Sequence, residues 1–203
     1  VIGLVFLWFN RTHTYWHPFK IGVFYDSLGA FIPFFMYLSI GDKRLTKSLF
    51  VNCDASLLTY SFYRRPDDIL TRYNMRLKEV IWLNMPPAAA LMASLAIWLS
   101  LSGMAITPAR LILFPLIMAY YVFFTIHLLF LYYILQPYTQ DVQVKNPLYK
   151  IIDFAVYLFC YMPLFLKPDM TIHAVFIIIL TIIYALVART LIPRLAPKTF
   201  RIK

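Results

Sequence analysis

Charged residues are scarce in this chain. Only 14% of its 203 residues are charged, whereas 62% are hydrophobic; an ordinary soluble domain is about a quarter charged and about half apolar. The alternating ten-residue segments of outer-membrane barrels are also absent, and the apolar runs are long enough for helices to cross a bilayer, which takes about 20 residues. The composition therefore argues against a soluble domain and predicts an all-α, polytopic bundle of transmembrane helices.

Cysteine and glycine are scarce as well. The two cysteines, Cys53 and Cys160, are too few for a disulfide framework or a metal cluster, so we predict reduced structural thiols and no metal site. None of the five glycines stands next to a lysine, and the phosphate-binding pattern Gly-x-x-x-x-Gly-Lys-Ser/Thr is therefore missing. We predict that the chain holds no cofactor of its own.

Long apolar runs divide the chain into about six predicted membrane segments. The first, residues 1–9, is half a span long and begins without Met, so we expect residues 1–203 to be a single transmembrane domain cut from a longer polypeptide. The other five runs are 21–40, 80–101, 111–135, 151–166 and 170–191. Only three residues separate the last two runs, which predicts a tight antiparallel hairpin.

Lysine and arginine are distributed unevenly between the two sides of this bundle. Fifteen of the 19 lie on one side and four on the other. Since positively charged loops stay in the cytoplasm, we predict that segments 41–79 and 136–150 and the C-terminus lie on the cytoplasmic side of a cytoplasmic membrane. The net charge of +10 follows from this topology, because no soluble basic face is present to bind nucleic acid.

The segment 41–79 is too long for a simple connection and predicts two helices. The second begins at Pro66, which suits the first helical position, and Asp67 places negative charge in the first turn. Apolar residues then recur at helical spacing, with Arg76 on another face. We therefore expect an amphipathic helix in the membrane interface that turns into the 80–101 span.

The first helix of this segment carries a family resemblance. Residues 54–70 read Asp-Ala-Ser-Leu-Leu-Thr-Tyr-Ser-Phe-Tyr-Arg-Arg-Pro-Asp-Asp-Ile-Leu, after Asn52 and Cys53. ABC-2-type permeases carry a coupling helix at this place, and the sequence resembles their pattern through Arg65 and Ile69. It is more similar still to bacterial ABC exporter permeases related to the EcsB group. It departs at residues 60–61, where the family often has Pro, and at 72–73, where it often has Gly-Lys.

This resemblance implies the membrane-spanning permease of an ATP-driven exporter, which is not itself an enzyme. Its short coupling helix, with Asn52 or Asp54 as the N-cap, would dock on a separate ABC ATPase subunit that holds ATP and Mg. The chain would pair as a homodimer or pseudo-dimer of permease halves, surrounded by membrane lipid. The residues implied in coupling are Asp54, Ala55, Ser56, Leu57, Leu58, Thr59, Tyr60, Arg64 and Arg65. Few charges lie in the spans, so we expect a hydrophobic or amphipathic substrate.

Other interpretations stay open at this point. Asp26 is an ionisable residue in a predicted span and hence a candidate polar site. His13, His17 or Asp26 would be the polar centre of a membrane-embedded transferase or protease, but no Gly-x-Ser-x-Gly or His-Glu-x-x-His pattern accompanies them. A non-catalytic structural subunit of a membrane complex needs no motif. Residues 54–60 would in that case be a solvated loop.

Overall fold

The computed structural model describes residues 18–40, 44–101, 105–138 and 146–200, and the predicted segment 1–9, His13 and His17 lie outside these ranges. Helices are the only extended regular elements in the described ranges. They are α1 (Pro18–Ile40), α2 (Arg44–Leu49), a π-helical turn (Phe50–Asp54), α3 (Ala55–Leu57), a 3-10 turn (Ser61–Arg64), α4 (Pro66–Leu101), α5 (Pro108–Leu111), α6 (Leu113–Leu135), α7 (Pro147–Leu166) and α8 (Met170–Thr199).

Four stretches of helix are long and apolar enough to cross a membrane: Pro66–Leu101, Pro108–Leu135, Pro147–Leu166 and Met170–Thr199. The chain is thus an integral membrane protein built of helices, as its composition predicts. A total of six membrane segments stays a prediction, because it also counts residues 1–9 and α1. The predicted short connection is found, because α7 ends at Leu166 and α8 begins at Met170. Beyond this turn the two helices make little contact with each other in the described residues, so tight antiparallel packing stays a prediction.

The helix α6 forms the centre of the bundle. In the most apolar stretch of 18 residues of this candidate span, 61% of the residues are buried inside the protein. The corresponding share is 17% in each of the other three candidate spans. It packs against α1, α4 and α8. A helix that is apolar on every side is expected in such a position, because its neighbours cover each of its faces. The exposed apolar faces of α7 and α8 are left for lipid.

The start of α4 at Pro66 is confirmed, but the predicted separate interfacial helix is not found. Instead, α4 is one 36-residue helix that continues through Pro86 and Pro87. These prolines withdraw two backbone N–H groups from the helix. Near this point the hydroxyl of Tyr121, on α6, donates a hydrogen bond to the backbone carbonyl of Ile81. The carbonyls that lose their intrahelical donors are those of Trp82 and Leu83, four residues before the two prolines. The Tyr121 bond therefore holds α6 against α4 just before the prolines and does not replace a lost donor.

Residues 44–65, which we call the cap segment, close one end of the bundle. Beneath them lies a group of buried side chains that is distinct from the core between the membrane helices. It joins the cap segment to the adjacent ends of α4, α6 and α8, and its larger members are Phe50, Leu58, Tyr63, Ile69, Tyr73, Tyr132, Tyr133, Ile192 and Phe200. The cap segment is therefore packed onto the bundle as part of its structure.

Candidate functional site

An arginine lies on the inward face of α4. The buried residues Ile69, Tyr73, Arg76 and Val80 are spaced by three or four positions and so share one helical face. Arg76 is only 6% exposed. The sequence pattern placed Arg76 on another, polar face, and this prediction is wrong. A buried guanidinium keeps its charge and therefore needs a partner in the same place.

That partner is Asp54, at the end of the π-helical turn of the cap segment. Asp54 is fully buried. Nη1 of Arg76 lies 2.6 Å from Oδ2 of Asp54, and Nη2 lies 2.7 Å from Oδ1. Two parallel N–H to oxygen bonds of this kind are the strongest arrangement that arginine and a carboxylate form. The ion pair joins the cap segment to α4.

Three tyrosines complete this arrangement. Tyr63 donates to Oδ1 of Asp54 at 2.6 Å, and Tyr132 donates to Oδ2. Each oxygen of the carboxylate thus accepts two hydrogen bonds, which satisfies its capacity. Nη1 of Arg76 also donates to the hydroxyl of Tyr133 at 3.0 Å. We call these five residues the buried cluster; Tyr132 and Tyr133 extend it to α6.

Arg72, one turn before Arg76, holds the other side of the cap segment. Its guanidinium carbon lies 3.6 Å from the centre of the Tyr63 ring, and its Nη2 donates to the backbone carbonyl of Tyr63. Cation–π stacking and this hydrogen bond attach the 3-10 turn to α4. Burial raises the pKa of Tyr63 to about 12, and the hydrogen bond and charge of Asp54 act in the same direction. The Tyr63 hydroxyl therefore stays protonated and able to donate.

The cap segment presents only part of the predicted coupling motif to its surroundings. Asp54 and Leu58 are buried, Ala55 and Leu57 are half-buried, and Ser56, Thr59, Tyr60 and Arg65 are exposed. The side chains of Arg64 and Asp26 lie outside the described residues. Asp54 precedes α3 but makes no capping hydrogen bond, because its carboxylate is bound by the buried cluster. The docking role of the motif stays a prediction.

Two aromatic side chains stand out on the outer surface of the cap segment. Tyr60 is 55% exposed and Phe62 is 51% exposed. Their ring centres are 5.7 Å apart, so they form one continuous apolar surface, which we call the aromatic edge. It lies directly beside the turn that Tyr63 and Arg72 attach to α4.

Sequence reasoning missed Arg76, Tyr63, Tyr132 and Tyr133. A signal for Arg76 was present, since it stands three residues after Tyr73 and four before Val80, in the middle of an apolar stripe. The tyrosines gave no comparable signal, because 15 tyrosines are spread through the chain. Among the described residues, no three His, Cys, Asp or Glu side chains come together in a way that could hold a metal ion.

Comparisons with known proteins found no family model, no curated protein and no solved structure that matches the chain. The class that the fold defines is therefore the broad one of integral membrane proteins built of helices.

Proposed function

We propose that this chain is the permease subunit of an ATP-driven exporter, and that its cap segment receives movement from a separate ATP-binding subunit. The observation that supports this proposal is the buried cluster. Asp54, the first residue of the motif that resembles a coupling helix, is bound to Arg76 on α4 and to Tyr132 on α6. A coupling element needs such a connection, because movement applied to a loosely held loop is lost within the loop.

The strength of the connection suits this role. Removing one partner of a buried ion pair costs about 3–5 kcal/mol, because the other charge is left uncompensated. A displacement of the cap segment would therefore carry the ends of α4 and α6 with it. Arg76 also lies on the same unbroken helix as the 80–101 span, so displacement reaches the membrane without passing a loop. At 1.5 Å per residue, α4 would conduct it from Arg76 to Leu101, over about 38 Å.

The aromatic edge is the surface that we propose docks on the ATP-binding subunit. Large aromatic side chains are enriched at the centres of protein interfaces, where they contribute much of the binding energy. Tyr60 and Phe62 are exposed and adjacent, and the Phe62 ring also contacts the ring of Tyr63 in the buried cluster. Contact at this place would act directly on the turn that Arg72 attaches to α4.

Co-purification tests the docking step. The full-length protein is purified from its native membranes, and associated ATP-binding subunits are identified by mass spectrometry and ATPase activity. Changing Tyr60 and Phe62 together to Glu should remove the subunit, because charges would be buried in the interface. Met75→Glu, which places one charge on another exposed apolar residue of the same end of α4, should leave it in place. Unchanged association of the double variant, or no ATP-binding subunit with the wild type, would contradict the proposal.

A second variant separates coupling from docking. Arg76→Met removes the link between the cap segment and α4 but leaves the aromatic edge unchanged. We expect this variant to retain the ATP-binding subunit and to lose ATP-driven transport in membrane vesicles. If transport continues at the wild-type rate in a folded Arg76→Met variant, the buried cluster does not transmit the movement.

A further inference from the structure

A cavity of about 540 Å³ lies at the end of the bundle opposite the cap segment. It is bordered by α1 and by the hairpin between α7 and α8, whereas the far end of α8 carries Phe200 against Tyr133 beneath the cap segment. Pockets that bind small molecules usually have volumes of about 300–1,000 Å³. The cavity is thus large enough for a ligand and is separate from the buried cluster.

Apolar side chains form most of the cavity wall. Ala30 and Phe31 contribute from α1, Leu164 from α7 and Met170 from the start of α8. The side chain of Met170 lies against the backbone of α1 at Gly29, where a methyl group added to the glycine would meet the Met170 thioether. Met170 thus closes one side of the cavity, which lies between α1 and the turn from α7 to α8.

Three polar side chains border this apolar surrounding: Ser27, Lys167 and His173. Lys167 is the exposed residue that ends α7, and it makes no ion pair with any described residue. His173 is buried, and its Nε2 lies 2.7 Å from the hydroxyl of Tyr120, which holds the ring in position. Its Nδ1 makes no hydrogen bond with the described part of the chain. The cavity therefore has a cation at its edge and a fixed polar atom deeper inside.

We propose that this cavity binds a single-chain amphiphile with an anionic head group, whose head pairs with Lys167 and whose chain lies against Ala30, Phe31 and Leu164. The level of the cavity agrees with this ligand, because the turn that carries Lys167 joins two apolar helices at a membrane surface, where lipid head groups lie. A carboxylate or phosphate gains a charge-assisted hydrogen bond there, while its chain leaves water. That this ligand is the transported substrate rests on the proposed function; its binding does not.

Native mass spectrometry of the full-length protein, released from phosphatidylcholine nanodiscs, tests the site. Three probes of equal or similar chain length are compared: hexadecanoate, a palmitoyl lysophosphatidate and the neutral hexadecanol. We expect one hexadecanoate or lysophosphatidate per chain, bound at least about tenfold more tightly than hexadecanol, since the neutral probe lacks the charged contact. Binding of only one anion identifies the head group as carboxylate or phosphate, and either result supports the proposal.

Variants locate the binding to this cavity. Lys167→Gln should weaken binding of the anion about tenfold, and Ala30→Trp should abolish it by filling the space. Matched controls are Lys150→Gln and Ala155→Trp, which change exposed residues elsewhere on α7 and should leave binding unchanged. The proposal is overturned if hexadecanol binds as tightly as hexadecanoate, if no probe binds, or if the controls weaken binding as much as the cavity variants do.

The assay requires no ATP-binding subunit, so the two proposals fail separately. If the anion binds but no ATP-binding subunit accompanies the chain, only the exporter function is contradicted. If the subunit is present and the cavity variants bind the anion like the wild type, only the cavity proposal is contradicted. Lys167→Gln and Ala30→Trp act by different mechanisms, and the thermal unfolding of each is compared with its control to exclude misfolding.

Discussion

Removal of Asp54 should destabilise the protein more than removal of Arg76. In Asp54→Ala the buried guanidinium keeps its charge, and its remaining partners are neutral hydroxyls. In Arg76→Met the carboxylate keeps hydrogen bonds from Tyr63 and Tyr132. The expected loss for Asp54→Ala is about 3–5 kcal/mol.

Thermal unfolding of the purified protein in detergent measures this loss. At roughly 2–4 °C per kcal/mol for a chain of this size, Asp54→Ala should lower the midpoint by about 6–20 °C. Lys78→Met, an exposed change two residues from Arg76 on the same helix, is the matched control and should shift it little.

The double variant Asp54→Ala/Arg76→Met completes a cycle with the two single variants. The double variant should lose clearly less free energy of unfolding than the two single variants lose together, because no unpaired charge remains in it. An additive result would refute the reasoning, as would an Asp54→Ala midpoint equal to that of the Lys78 control.

Three further predictions test the cap segment, the orientation and the hairpin. Burial raises the pKa of Tyr63 to about 12, above the ordinary value of about 10 for tyrosine. The contribution of the Tyr63 hydroxyl to the stability of the protein is therefore complete below pH 10 and is lost as the pH rises through 12. In an alkaline titration followed by absorbance at 295 nm, the wild type should show a step near pH 12 that the Tyr63→Phe variant lacks. A difference between the two proteins that appears near pH 10 would contradict the prediction. Cys53 is exposed and Cys160 is buried, so a membrane-impermeant maleimide should label only Cys53. It should do so in inverted vesicles and not in intact cells, because the cap segment is predicted to be cytoplasmic. Labelling of Cys53 in intact cells would show that the predicted orientation in the membrane is wrong. The carboxylate of Asp169 accepts hydrogen bonds from two backbone N–H groups at the start of α8. Asp169→Ala should therefore lower the free energy of unfolding by about 1 kcal/mol, as measured by thermal unfolding, and the control Asp67→Ala should lower it less.

The ends of several helices were predictable because local chemistry sets them. Pro66 begins α4, and a three-residue turn joins α7 to α8, as the sequence indicates. The turn also shows its local cause: Lys167 adopts a left-handed conformation with φ of 42°, and the carboxylate of Asp169 caps α8. The continuity of α4 through Pro86 and Pro87 was not predictable, because it depends on packing against other helices, α6 and α8 among them.

The role of Asp54 was misread for a similar reason. In the sequence it stands at the start of a short motif, where a carboxylate is a good N-cap. In the folded chain it binds Arg76, 22 residues away, and Tyr132, 78 residues away. A local pattern predicts local hydrogen bonds, and it carries no information about donors brought by other helices.

The sequence by itself determined that this is a membrane protein of helices, because a bilayer demands long apolar runs whose backbone groups are satisfied within each helix. The short turn between α7 and α8 and the start of α4 also follow from the sequence, since both depend on a few neighbouring residues. The burial of Asp54 against Arg76 and the cavity that Lys167 and His173 border emerge only in the tertiary structure. Asp54 meets partners that are distant in the chain, and the cavity needs α1 beside the turn that carries Lys167. A buried charge or an enclosed space depends on what all its neighbours contribute, and a local pattern does not contain those neighbours.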